Sequence, residues 1–265
     1  MFSFPSRHQS LSSRDAKYTV SFDHPTGLHP TMTISLSQEA LTPPPPADKH
    51  ALSCALHTHL TLPSTLFADK YQLSTTDPLF LASHRLVALR SVSGETDLEA
   101  PDWSVERWGS NWLLELDPSL DRNEDQDEEE GVNVTIPLHL RYLHPSTSGY
   151  RTADVPWPVV FWACHMDGTD TRDKMAGNPF DRVRLGWDGL FGANTLFYQV
   201  RPSGPPQESS GSRLVETIDV PVLDTGLVSS RTVELGTVAV ITLGFAWVLW
   251  KLWGVSFTQT KKKDE

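Results

Sequence analysis

The side chains best equipped for chemistry in this 265-residue chain are a few histidines and acids. His57 and His59 stand two residues apart in a period-two segment, so both project from one strand face, as a pair of metal ligands would. Neither a carboxylate nor a thiol accompanies them at a ligand spacing, and we read them as solvent-facing histidines. His165-Met166-Asp167-Gly168, with Asp170, has the look of acid–base equipment, but Asp-Gly is first of all a turn signal. P-loop, G-x-G-x-x-G, G-x-S-x-G and H-E-x-x-H patterns are absent from the sequence. The residues thus imply no catalytic group, no metal and no cofactor. Asn133-Val134-Thr135 is a glycosylation acceptor if its compartment is lumenal.

Among the elements of the chain, the plainest is at the C-terminus. An apolar run extends from Leu235 to Trp250, and between Leu235 and Phe257 the only formal charge is Lys251. As a helix, residues 235–257 measure roughly 34 Å, enough to cross a hydrocarbon core of roughly 30 Å. Trp247, Trp250 and Trp253 gather at one end as an interfacial belt, where Lys251 can lift its ammonium to the headgroups. Arg231 and Glu234 precede the run, whereas Lys251, Lys261, Lys262 and Lys263 follow it, so the charge bias leaves the tail, 258–265, in the cytosol and the bulk in the lumen. Lys262 and Lys263 also have the register of a dilysine retrieval signal, which a receptor reads; a plain stop-transfer flank is the alternative. Residues 1–17 form a polar N-terminal segment without an apolar stretch of signal-peptide length. A tail-anchored protein with its bulk in the cytosol is therefore the rival topology, and the charge bias opposes it.

Ahead of the anchor the pattern is of strands. Leu52, Cys54, Leu56, Thr58, Leu60 and Leu62 alternate with Ser53, Ala55, His57, His59 and Thr61, giving one buried and one wet face. The alternation returns from Val132 to Tyr142, with Pro137 marking an edge or a bulge and Asn133 facing solvent opposite Val134 and Ile136. Shorter candidates are Tyr18–Phe22, Thr31–Leu36, Arg85–Val92, Trp112–Leu116, Pro158–Ala163, Thr195–Val200 and Val215–Val222. Proline- and glycine-rich breaks separate them, as in Pro43 to Pro46 and Ser203 to Gly211. The fold expected is all-β, an antiparallel β-sandwich over 18–230, followed by one transmembrane helix over 235–257. The net charge of -11 argues against nucleic acid as a partner. Much of it lies in an acidic run, 121–130, read as a solvated loop because it lacks the turn glycine of a calcium loop.

The chain has two cysteines, Cys54 and Cys164, both on apolar strand patterns. A lumenal compartment permits a bridge closing a loop of about 110 residues, about 4 to 5 kcal/mol in the chain-entropy treatment. Buried free thiols are the alternative.

At Ile136-Pro137-Leu138-His139-Leu140-Arg141-Tyr142 and Pro158-Val159-Val160-Phe161-Trp162-Ala163-Cys164 the chain resembles the PIG-X family, whose fungal members are the Pbn proteins. Gly27-Leu28-His29-Pro30-Thr31, Leu62-Pro63-Ser64-Thr65-Leu66-Phe67-Ala68-Asp69 and Val220-Pro221-Val222 follow the same order. The resemblance implies a non-catalytic, glycosylated, chaperone-like subunit of the endoplasmic reticulum membrane. Its partner would be the multi-spanning catalytic mannosyltransferase that adds the first mannose in glycosylphosphatidylinositol (GPI) anchor biosynthesis. Fungal relatives extend further at the N-terminus, so the chain departs from them there. Partner contact is expected at His139, Arg141, Tyr142 and Trp162, and along the span at Gly236, Ala239 and Gly244. Two other classes stay open: a lumenal enzyme acting on glycans or lipid-linked sugars through His165, Asp167 and Asp170, and a β-sandwich receptor of the cargo or adhesion type.

Overall fold

Alternation decides the local structure. Thr31–Leu36 is a strand with Met32, Ile34 and Leu36 buried and its other side chains half-buried, the period-two signature of a covered face. In this computed structural model the described residues are 9–10, 16–23, 27–44, 51–75, 77–106, 108–119, 131–166, 179–180, 185, 187, 189–192, 194–203, 214–226 and 229–261. The strands run β1 (Gln9–Ser10), β2 (Lys17–Phe22), β3 (Thr31–Leu36), β4 (Ala51–Leu62), β5 (Leu66–Phe67), β6 (Leu86–Gly94), β7 (Ser110–Leu116), β8 (Val132–Pro137), β9 (His139–Leu140), β10 (Tyr150–Pro156), β11 (Val159–Met166), β12 (Thr195–Gln199), β13 (Arg201–Pro202) and β14 (Val215–Pro221). The helices are α1 (Gln38–Leu41), α2 (Lys70–Leu73), α3 (Pro78–Ser83) and α4 (Ser230–Lys261). The chain divides into two compact units, one of Met1–Leu143 with Thr152–Val220, the other of His144–Arg151 with Pro221–Glu265.

The first unit is a β-sandwich. One sheet has the order β1-β12-β11-β4-β7-β6 and the other β13-β2-β3-β8, with β10-β14 and β5-β9 as separate pairs. Pairing in the two large sheets is antiparallel apart from the short β1–β12 and β13–β2 contacts, which are parallel. Leu56, Leu60, Trp112, Val160 and Trp162 from the six-stranded sheet share one apolar cluster with Val20, Phe22, Ile34, Val134 and Ile136 from the four-stranded sheet. Trp162 is fully buried there, and its indole N–H donates to the Ala40 carbonyl at 2.9 Å, so a group that would otherwise be costly to bury is satisfied. Cys54 and Cys164 oppose one another in the β4–β11 register, with Cα atoms 4.0 Å apart, and are joined as a disulfide.

The structure corrects four local readings. The His57–His59 face of β4 is dry, because Phe180, Trp187 and Phe197 form a second apolar cluster over it with Phe161 and Leu113. The segment that covers this face lies more than a hundred residues downstream, beyond the reach of local periodicity. The run from Val132 to Tyr142 is not one strand. β8 ends at Pro137, which lies on the edge strand of its sheet, and Leu138 N–H then turns to the Pro30 carbonyl at 2.9 Å. β10 was not expected, since Tyr150, Arg151 and Thr152 are polar or exposed and only Ala153 and Val155 turn inward. Short helices were not expected either; Asp69 caps α2 by accepting from Tyr71 N–H at 2.8 Å, and Asp77 caps α3 from Leu79 N–H at 3.0 Å with Pro78 in its first turn. The acidic run 121–130, with Asp167 and Asp170, lies outside the described residues, as do Lys262 and Lys263.

In the second unit, Ser146 N–H donates to the Leu223 carbonyl at 3.1 Å and Val222 N–H to the Gly149 carbonyl at 2.9 Å. Gly149 adopts φ +73°, a left-handed turn conformation that disfavours a side chain, and Asp224 packs against it.

Candidate membrane anchor and partner-binding surface

Helix α4 meets the physical requirements of a bilayer span. Its 32 residues rise about 48 Å, and an 18-residue window within Arg231–Gly254 has a mean hydropathy of 1.8 with none of it buried. A core helix would bury at least one face. Here apolar side chains point outward on every side, with Leu235, Val240, Leu243 and Trp250 each about 70% exposed. Two hydroxyl groups on the span are answered within the helix. Thr237 Oγ1 donates to the Val233 carbonyl at 2.8 Å and Thr242 Oγ1 to the Val238 carbonyl at 2.7 Å, so neither hydroxyl enters lipid without a partner. Lys251 Nζ sits 6.0 Å from the Trp247 ring centre and 5.8 Å from that of Trp250, a cation held at an aromatic belt. One C-terminal helix is thus suited to single-pass anchoring.

The sandwich unit offers a different surface, built where three separate stretches converge. Leu140 N–H donates to the Leu28 carbonyl at 3.1 Å and Arg141 N–H to the Thr65 carbonyl at 2.9 Å, which ties 28–30, 63–67 and 138–142 together. β5 pairs with β9 so that Phe67 lies opposite His139. The rings of Phe67 and His139 stack with centres 5.1 Å apart, and the Arg141 guanidinium lies 4.7 Å from the Phe67 ring centre. His29 Nδ1 and His139 Nδ1 are 2.9 Å apart, so one ring donates a proton and the other accepts with a bare nitrogen. Burial pushes the His139 pKa down, and the neighbouring His29 pushes the same way against Asp69.

These contacts separate the residues singled out for partner binding. Arg141 is buried, and its Nη1 donates to the carbonyls of Asp97 at 2.5 Å and Ala100 at 2.8 Å. It clamps a loop from within. Trp162 is in the core and does not meet the other three. His139 is half-buried, while Tyr142 is 78% exposed. The Tyr142 carbonyl accepts from Asp102 N–H at 3.1 Å, which brings Trp103, also largely exposed, onto the same neighbourhood. Trp103 was missed because a lone tryptophan in a polar loop has no periodic signal. Asn133 is exposed on β8, with Val132, Val134 and Ile136 turned inward.

The histidines of β4 take another role. His57 stacks on Phe161 with ring centres 5.5 Å apart, and His59 meets Phe180 and Trp187 edge-on. Burial lowers the pKa of each from 6.5 to about 4, outweighing the hydrogen bonds to Ala55 and Asn111 that favour the charged forms. They are neutral interior groups at physiological pH. Among the described residues, no three His, Cys, Asp or Glu side chains gather as a metal site.

Comparison with known proteins fits this arrangement. The model of the family described as PIG-X / PBN1 matches residues 25–253. Protein pbn1 of Emericella nidulans is 62% identical over 257 residues, covering 95% of this chain and 46% of that protein. Protein pbn1 of Aspergillus fumigatus is 63% identical over 258 residues, 95% of this chain and 50% of that protein. Protein pbn1 of Neurospora crassa is 45% identical over 255 residues, 96% of this chain and 46% of that protein. The chain spans about half the length of the curated relatives it matches. With the match running from the sandwich strands into the apolar helix, the chain belongs to the PIG-X / PBN1 family.

Proposed function

We propose that this chain is a non-catalytic subunit of GPI-anchor biosynthesis in the endoplasmic reticulum membrane, one that binds and stabilises the multi-spanning mannosyltransferase adding the first mannose. The carrying observation is that the family match covers sandwich and span together. The sandwich is lumenal in this reading, the tail is cytosolic, and Lys262 and Lys263 serve retrieval. Tyr142 and the exposed edge of His139 are the contact, while Arg141 and Trp162 hold the surface in shape from within. A subunit that binds the folded enzyme and not the unfolded one stabilises it by mass action, about 2.7 kcal/mol at a hundred times its Kd.

Support for a contact at Tyr142 is its exposure on a backbone fixed from both sides, since a rigid aromatic anchor gives area at little entropic cost. The test is co-purification from cells expressing the full chain. Loss of the chain should lower the steady-state amount of mannosyltransferase, and Tyr142→Ala should cut its recovery at least about tenfold, equivalent to about 1.4 kcal/mol. An enzyme equally abundant without this chain would end the proposal; undiminished recovery with Tyr142→Ala would remove only the contact.

A further inference from the structure

The outer face of the six-stranded sheet carries a cleft of about 380 Å³, within the roughly 300–1,000 Å³ range of small-molecule sites. It lies wholly in the sandwich unit, and Tyr142 is not among its lining residues. Trp108 and Trp157 supply indole rings, Thr61, Asn111 and Gln199 supply polar groups, and the rest of the wall is mainly apolar, with Val159, Leu185 and Leu214 among it. Thr61 Oγ1 donates to Asn111 Oδ1 at 3.0 Å, which fixes the amide in one orientation. The indole N–H of Trp157 is buried and meets no acceptor among the described residues. No Asp, Glu, Lys or Arg among the described residues lines the cleft. Burial holds His59 neutral as well, with its pKa at about 4.

The chemistry of this lining selects among guests. An anion or a cation would find no countercharge among the described residues. A purely apolar guest would strip water from Asn111, Gln199 and Thr61 and return no hydrogen bond. A peptide strand would need free main-chain groups, yet β4, β7, β11 and β12, which floor the cleft, are all interior strands with neighbours on both sides. A neutral ring with hydroxyls at its rim and C–H groups on its faces suits all of it. Its faces lie against indole, and its hydroxyls can donate to and accept from the Asn111 and Gln199 amides.

We propose that this cleft is a binding site for a neutral sugar ring. The site is independent of the family role, since its lining shares no residue with the Tyr142 surface or the span. The experiment uses the full chain in a sugar-free zwitterionic detergent and saturation-transfer NMR. The probes are methyl α-mannopyranoside and N-acetylglucosamine, with cyclohexanol as an apolar ring of similar size and a proline-rich peptide as a competitor. At least one sugar should show saturable transfer with a Kd of about 1–10 mM. Trp108→Ala and Gln199→Ala should each weaken it about tenfold or more, while Trp103→Ala, outside the cleft, leaves it unchanged. Should Trp108→Ala not fold, Gln199→Glu, which keeps the shape and adds a charge, should weaken binding similarly with an unaltered melting temperature. The proposal fails if neither sugar saturates below about 100 mM, if cyclohexanol or the peptide binds more tightly than both, or if the cleft substitutions leave sugar binding intact.

Discussion

Arg141 donates from Nη1 to the carbonyl of Ala100 at 2.8 Å, across 41 residues of chain. The same nitrogen serves the Asp97 carbonyl, and the guanidinium plane covers Phe67. Truncation to methionine would leave both carbonyls unpaired in a dry setting. We expect Arg141→Met to cost about 3 kcal/mol, read as a shift in the denaturant midpoint of the full chain. Lysine recovers part of this only, because an ammonium cannot reproduce the planar fork. An unshifted midpoint for Arg141→Met would show that the clamp carries no stability.

The buried pair His57 and His59 makes stability depend on pH. Each has a folded-state pKa of about 4, below its ordinary value of 6.5. In the window between those values the unfolded chain binds more protons than the folded one. The stabilisation is present in full above the ordinary value and is lost as pH falls toward the folded one. Between pH 7 and pH 5 the loss should be about 2 kcal/mol per histidine, measured by denaturant titration at each pH. His57→Phe should reduce that slope by about half; an unchanged slope would assign the pH dependence elsewhere.

The disulfide closes a loop of 110 residues. Replacing Cys54 and Cys164 together by alanine should lower stability by about 4 to 5 kcal/mol. Thiol alkylation of the denatured, unreduced chain should label neither cysteine. Quantitative labelling at both would return them to the class of buried thiols.

Asn133 tests topology. Being exposed on β8, it is accessible to the glycosylation machinery if the sandwich is lumenal. The chain from microsomes should gain mobility on glycosidase treatment, Asn133→Gln should remove that shift, and protease added to sealed microsomes should spare the sandwich. Digestion of the sandwich from outside would invert the arrangement.

The elements legible in the sequence were those whose signal is local. Thr31–Leu36 could be bounded to the residue because its alternation is clean. α4 was legible because its apolar run needs no partner to be recognised, although the helix runs from Ser230 to Lys261, past both ends of the expected 235–257. What stayed hidden depends on distant chain. His57 and His59 read as wet until Phe180 and Trp187 are seen to cover them. Arg141 read as an exposed cation because its acceptors are backbone carbonyls, which carry no residue-type signal at all. The motifs at 27–31, 62–69 and 136–142 were each noticed separately; that they knit into one surface follows only from the pairing of β5 with β9 and the bonds from Leu138, Leu140 and Arg141.

The pairing of β4 with β11 has a consequence for biogenesis. β7 can pair with β4 once Leu116 is delivered, but a ribosome must deliver everything up to Met166 before the other edge of β4 can find β11. Until then β4 has an open edge of unpaired main-chain groups, the condition under which nascent chains draw on folding helpers. Assembly of this sheet is therefore a late event in translation, and a stalled or truncated product short of that point would have no route to the native state.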